Sequence, residues 1–404
     1  MTVSLLILGD TPVHLWGLSA HERLRRVLKP VGVTHVVANL AAVPEGHTVL
    51  MVRADYVYDN RILHNLVKAS PVIVRLPTSQ APVAAHVHRE WAESVRAVVC
   101  GEQAMVDEPA IKMETPESLA SAYQEQLRKF DPPVVLPIDP ANQQFLEDQL
   151  FAGSYKGITD LVTKWVWPAP AQWVTQWCTR YGIQPNHVTS LGFVLVLIAG
   201  VCFYTGQFGW GLLAGWLMTF LDTVDGKLAR VTVTSSKVGH VFDHGIDIIH
   251  PPLWYLVWGL GLSTFHTGVP GLSVDIVIWI IFGGYILGRL VEGAFQLWLG
   301  MFGIFCWRRF DSFSRLITAR RNPNLIFLTM SVLVGRPDLG LVAVAGWTLL
   351  STMLLFVRLV MASYVRMRSG PLQSWLREVD RAANDTSLAV RWFTRHTETV
   401  RPSP

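Results

Sequence analysis

Charge is scarce in this chain, and cysteine is scarcer. Of 404 residues, 16 % are charged and 50 % are hydrophobic, a balance far from that of an ordinary soluble enzyme. Lipid must be part of its solvent. The four cysteines, Cys100, Cys178, Cys202 and Cys306, form no C-x-x-C pair, which argues against a disulfide framework or a cysteine metal site and suits a reducing compartment. The opening MTVSLLILGD lacks a basic stretch and its apolar run is too short for a signal peptide, so no export of the first domain is expected. The basic residues behind the net charge of +4 are dispersed among loops, a poor pattern for a nucleic-acid partner.

What is present falls into distinct stretches. Residues 1–130 alternate short β-rich runs (TVSLLIL, VTHVVANL, HTVLMVR, PVIVRL) with helical patterns, which predicts an α/β domain with a largely parallel sheet. Residues 131–142 hold four prolines and read as a linker or irregular edge; a helix is expected from about 143 to 157. Residues 158–184 mix four tryptophans with Lys164 and Arg180, the composition of an amphipathic helix at headgroup level.

Beyond it lie apolar segments near 187–205, 208–228, 239–262, 273–298, 323–336 and 339–363, about six transmembrane helices in a domain of residues 185–366. A span needs roughly 20 apolar residues, and only the segment after Pro323 is short of that. Lys227, Arg230, Lys237, Arg308, Arg309, Arg315, Arg320 and Arg321 crowd the loops on one side, and Arg336 alone dissents on the other. The positive-inside bias therefore puts both termini, including the tail 367–404, in the cytoplasm of a cell (inner) membrane protein.

Four aspartates interrupt this apolar region. Asp222 and Asp225 are three apart and Asp243 and Asp247 four apart, so each pair shares a helix face with Cβ atoms about 5–6 Å apart. The pairs end one span and begin the next, which lets all four face one cleft. An ionised carboxylate at membrane depth costs on the order of 2.5–3.5 kcal/mol, and four together also repel. Divalent cations relieve both costs: Mg²⁺ or Mn²⁺ takes an all-oxygen ligand set, and two such ions can clamp a phosphoryl group. His240 and His244 lie nearby without the partner spacing of a zinc site. Gly226, Ala229 and Gly239 remove bulk on the same faces, and Arg230 adds a forked cation suited to a diphosphate.

The stretch Asp222-x-x-Asp225-Gly226-x-x-Ala229-Arg230, eight residues, Gly239-x-x-x-Asp243-x-x-x-Asp247 resembles the CDP-alcohol phosphotransferase pattern at every fixed position. Pro185-Asn186-x-x-Thr189 looks like the P-N-x-x-T element of the same family. The resemblance implies transfer of a phosphate-alcohol group from a CDP-alcohol to a second hydroxyl, releasing CMP. It implies that Asp222, Asp225, Asp243 and Asp247 hold two Mg²⁺ or Mn²⁺ ions, with Asp247 also deprotonating the acceptor. Asn186, Thr189, Asp222, Gly226, Ala229, Arg230 and Gly239 would then receive the CDP moiety. CDP-diacylglycerol is the favoured donor, a soluble one such as CDP-inositol the alternative, and a homodimer in the bilayer the expected assembly. A cation- or proton-coupled transporter is the reading from another class, but it expects charges near the midplane and broken helices in an inverted repeat.

The first domain looks like the nucleotidyltransferase of inositol-phosphate cytidylyltransferase fusions, with Asp55 as counterpart of a metal-binding aspartate and Lys29-Pro30 similar to a further short element. Where active members carry a glycine-rich, Arg-containing loop after the first strand, this chain reads GDTPVHLWGLS, so the domain is expected to be inactive. Within the spans, Arg289 and Glu292, three apart, and Arg358 are acceptor-binding candidates or structural ion pairs. Pro251-Pro252 is expected to bend the third span near the aspartates.

Overall fold

The computed structural model describes residues 2–104, 108–234, 245–262, 269, 272–379 and 385–394, and the backbone of 237–244 as helix. In chain order the first part runs β1 (Val3–Leu8), α1 (Ala20–Leu28), β2 (His35–Val37), β3 (Thr48–Arg53), β4 (Tyr56–Tyr58), α2 (Asn60–Leu66), β5 (Val72–Arg75), β6 (Pro82–His88), α3 (Ala92–Val99) and β7 (Lys112–Glu114). Six strands form one sheet in the order β2-β1-β3-β6-β5-β7. The α/β expectation is met, but the sheet is mixed: β6 runs antiparallel to both β3 and β5. The cause is local, because residues 76–81 join β5 to β6 and a parallel crossover needs about a dozen residues or more. Val49, Leu50, Met51 and Val52 of β3 are fully buried, as befits a strand covered on both faces.

The proline-rich stretch is structured rather than a free linker. After α4 (Pro116–Leu119), a short hairpin forms from β8 (Tyr123–Gln124) and β9 (Lys129–Phe130), and β10 (Val135–Pro137) pairs antiparallel with β4. An outer strand tolerates Pro137 because its missing N–H leaves no central ladder broken. Next come α5 (Gln143–Gly153), a π-helical turn at Val162–Val166, and α6 (Pro168–Arg180), which starts with proline at its first position. Trp165, Trp173, Trp177 and Tyr181 are all exposed, the placement wanted of an interfacial aromatic belt.

The membrane region comprises α7 (Pro185–Tyr204), α8 (Phe208–Val231), α9 (Lys237–Gly261), α10 (Val274–Ala294) continued by a π-helical turn to Gly300, α11 (Arg309–Ile317), α12 (Arg321–Leu333) and α13 (Pro337–Ser369). Among the described residues, Pro185–Tyr204, Val274–Gly300 and Pro337–Ser369 are long and apolar enough to cross a membrane. The six expected segments are all helical; α12 has only 13 residues, and α8 gives its last turns to Asp222, Asp225, Lys227 and Arg230. Leu290, Leu297, Trp298 and Leu333 point outward, apolar surface that water would penalise and lipid accepts.

Aromatic rings knit α7, α8 and α9 together: Trp258 lies 4.9 Å from Phe203 and 4.4 Å from Phe208 between ring centres. Its indole N–H donates to Pro337 O at 3.1 Å and that of Trp254 to Val196 O at 3.0 Å, so neither polar edge is left bare in the core. Gly261 is where α9 meets α7, since a Cβ there would collide with the Phe203 carbonyl.

Candidate active site

Helix periodicity puts Asp222 and Asp225 on one side of α8, and α9 brings Asp247 to the same place. The three carboxylates, with Thr189 of α7, line one small cleft. Thr189 Oγ1 donates to Asp225 Oδ2 at 2.7 Å. Arg321, at the first turn of α12, reaches between the helices: Nη1 donates to Asp247 Oδ1 at 2.7 Å and Nη2 pairs with Asp222. Two aspartates from different helices thus address a single cation, and the set is oxygen-only. That arrangement fits a hard divalent ion. Among the described residues no group of three or more His, Cys, Asp and Glu has ready-made ligand geometry. The side chains of Asp243, His240 and His244 lie outside the described residues, and of Gly239 only the helical backbone is described.

Asp222 and Asp247 border a cavity of about 290 Å³ whose lining, among the described residues, holds eight Lys or Arg against four Asp or Glu. Arg289, Glu292 and Arg230 all face it. Glu292 pairs with Arg320 rather than with its helix neighbour Arg289. Arg289 donates to the Tyr285 hydroxyl at 3.2 Å, and Tyr285 in turn donates to Ile248 O at 2.9 Å. That carbonyl is the one Pro252 cannot serve, because proline lacks the N–H that would bond four residues back. Helix α9 continues through Pro251 and Pro252. Pro251 lines the cavity beside Asp247.

Several cavity residues were not legible as site residues. Arg315, Arg320 and Arg321 read only as loop charges; their clustering just ahead of Pro323 was the available signal. Arg128 arrives from the tip of the β8–β9 hairpin, in a left-handed backbone conformation (φ 50°), with Gly157 and Ile158 N–H groups bonding the carbonyls of Leu127 and Arg128 at 2.9 and 3.1 Å. A Cβ on Gly157 would lie 2.8 Å from the Arg128 carbonyl, so this docking needs glycine. Lys227 is 4 % exposed, its Nζ 3.8 Å above the Tyr155 ring.

Burial, then the charges of Arg128 and Arg230, pushes the Lys156 ammonium below the ordinary lysine range. Burial and then Arg320 pull Arg315 down to about 10. For Asp160 burial favours the neutral acid, yet the Arg315 charge and hydrogen bonds from Thr163 and Asn322 outweigh it and hold the carboxyl low. Among the described residues, positive charge is thus crowded around the cavity.

Other expected site residues lie elsewhere. Arg358 is away from this cavity, in a two-pronged pair with Asp311 at 2.6 and 2.9 Å and over the Trp307 ring at 4.5 Å. Both partners are buried, so Asp311→Ala is expected to destabilise the protein by about 3–5 kcal/mol by stranding the guanidinium. Thermal unfolding in detergent measures it. Asn186 is exposed at the first turn of α7, and Ala229 is half-buried. Gly226 makes room for Arg230: a Cβ there would stand 3.1 Å from its Nη2. In the first domain Asp55 is gripped by Arg53, Nε to Oδ1 at 3.0 Å.

Residues 183–300 match the family model described as CDP-alcohol phosphatidyltransferase. The chain is similar to the archaetidylinositol phosphate synthase of Pyrococcus horikoshii, 37 % identical over 81 residues, 19 % of this chain and 42 % of that protein. It is similar to the phosphatidylinositol phosphate synthase of Streptomyces avermitilis, 38 % identical over 69 residues, 17 % of this chain and 28 % of that one. Ethanolaminephosphotransferase 1 of Homo sapiens is 29 % identical over 128 residues, 26 % of this chain and 31 % of the relative. The chain thus spans less than half the length of each of these relatives. Over residues 183–300 the chain is thus similar to the CDP-alcohol phosphatidyltransferase family.

Proposed function

We propose that this protein transfers the phosphate-alcohol group of a CDP-alcohol, CDP-diacylglycerol above all, to the hydroxyl of a polar acceptor and releases CMP. The observation that carries the reading is the meeting of Asp222, Asp225 and Asp247 beside a cation-lined cavity. The acceptor oxygen bonds to the phosphorus that bears the alcohol, the bond from that phosphorus to the CMP oxygen breaks, and Asp247 takes the hydroxyl proton. Asp222, Asp225, Asp243 and Asp247 would hold two Mg²⁺ or Mn²⁺ ions, which polarise a diphosphate and offset the charge of departing CMP. Arg230, Gly226, Ala229 and Gly239, with Asn186 and Thr189, receive the CDP half. Six helices of residues 185–366 cross the bilayer, with the aspartates at the cytoplasmic face. The α/β domain makes no CDP-alcohol itself, a reading supported by the Arg53–Asp55 pair and the missing glycine-rich loop.

The cation excess favours an acceptor that itself carries a phosphate, inositol phosphate or glycerol phosphate being the simplest. Two P-loop-free ways of holding phosphate are at hand here, Arg289 on α10 and Arg315 on α11. Arg315→Ala is expected to raise the acceptor KM about 10- to 100-fold with the donor KM unchanged, the loss of one charge-assisted contact. Initial rates with each substrate varied in turn measure this. The reading as a whole is tested by incubating the purified protein with labelled CDP-diacylglycerol and a mixture of free and phosphorylated alcohols. A phosphorylated lipid product and CMP are expected; no CMP release with any acceptor overturns it.

A further inference from the structure

We infer that the α/β domain is a clamp that sets the position of α8, and that Arg23 and Arg26 are positioning residues for its aspartates. The inference rests on the reading of α8 as the helix that binds donor and metal. It begins at residues 9–19, between β1 and α1. Trp16 is 2 % exposed and leaves the α/β core for a cluster with Phe151 of α5 and Val224, Leu228 and Val231 of α8. Its ring stacks on Phe151 with centroids 5.6 Å apart. Glu147 of α5 fixes it at both ends, accepting from the Trp16 backbone N–H at Oε1 (2.9 Å) and from the indole N–H at its carbonyl (3.0 Å). Trp16 adopts φ 52°, a left-handed conformation unfavourable outside glycine, and the surrounding contacts over-determine it.

The second contact is polar. Arg23 Nη2 donates to Val231 O at 2.5 Å and Arg26 Nη1 to Thr232 O at 3.0 Å. These carbonyls end α8, where no further turn of helix supplies donors and the helix dipole is negative, so two guanidiniums satisfy both the hydrogen bonds and the charge. One residue further, Val233 packs against the α/β core that contains Leu24 and Val27. Val233 also lies at φ 50°, unfavourable for a β-branched residue. Strained backbone on both sides of one contact marks a geometry the fold imposes.

What is imposed is the end of the helix bearing Asp222 and Asp225, some 9 to 14 Å from Val231 at a rise of about 1.5 Å per residue. The same point begins the connection to α9 and Asp247. A turn of α8 about its axis would swing Asp222 and Asp225 relative to Asp247, and the clamp prevents it. Arg230 sits at the junction, facing both the aspartate cavity and a second cavity of about 330 Å³ that Arg23 also lines.

The test uses the full chain in detergent micelles with Arg26→Ala, a half-buried side chain whose removal leaves the apolar contacts in place. Amide exchange over residues 219–234 is expected to quicken about tenfold, the loss of one hydrogen bond to a charged group, with residues 340–355 unchanged. CMP release is expected to fall by a similar factor in kcat with donor and acceptor KM unchanged, and Arg26→Lys to restore most of both. Unchanged exchange over 219–234 and unchanged kcat, even with a lower melting temperature, overturns the clamp. The exchange arm reads the helix directly, so wild-type protein that released no CMP would refute the proposed reaction and still leave the clamp decided.

Discussion

Asp247→Asn is expected to lower kcat for CMP release from CDP-diacylglycerol by about 10²–10⁴-fold, the usual worth of a positioned general base. The substitution keeps the volume of the side chain, and an amide oxygen can still accept from Arg321 Nη1, now 2.7 Å from Asp247 Oδ1. It removes the one property the proposal needs, a basic oxygen beside the acceptor hydroxyl. Asp222 and Asp225 remain on α8 to hold the donor side, so the donor KM should change little while kcat collapses. A quenched assay of labelled CMP measures both. Turnover at the wild-type rate in Asp247→Asn would remove Asp247 from the chemistry, and a large rise in donor KM at unchanged kcat would make it a binding residue.

Asp222 and Asp225 were legible as a pair because their relation is local: a three-residue spacing inside a helix fixes the face the carboxylates share, whatever the rest of the chain does. The glycine at 226 was legible for the same reason, although its observed use is to seat the Arg230 guanidinium. Arg321 was not legible. It stands 99 residues from Asp222 and 74 from Asp247, and only the packing of α12 against α8 brings it between them. Arg128 was hidden more deeply, on a hairpin of two-residue strands whose docking depends on the close approach at Gly157.

In the first domain the alternation of strands and helices gave the α/β class, whereas strand direction needed the connection lengths. The six residues between β5 and β6 admit only a hairpin, a constraint present in the sequence but masked by the regular β-α rhythm before it. Residues 131–142 left two readings open, a linker or an irregular edge, and the short strand β10 pairing with β4 is of the second kind. Arg358 shows the limit of treating an intramembrane charge as functional by default. Its partner Asp311 lies 47 residues earlier, beyond the reach of any helical spacing, and the pair is bound up in packing against Trp307.

Removing divalent metal is expected to bring CMP release to background, and Mg²⁺ or Mn²⁺ to restore it. Asp222 and Asp247 already converge on one guanidinium charge, and Asp243 is due on the face of α9 four residues before Asp247. Four carboxylates at the membrane face need more positive charge than Arg321 supplies, because like charges at this spacing disfavour joint ionisation. Metal should therefore stabilise the fold as well as support turnover. With free metal at about a hundred times its Kd the gain is about 2.7 kcal/mol, read as a rise in melting temperature that Asp222→Asn diminishes. The stability arm needs no substrate, so it separates a metal site from a defective assay. A transporter with cation-relaying aspartates could also show the thermal shift, but it would release no CMP from CDP-diacylglycerol. Full activity after exhaustive chelation, with a melting temperature indifferent to Mg²⁺ and Mn²⁺, would show that these carboxylates hold no metal.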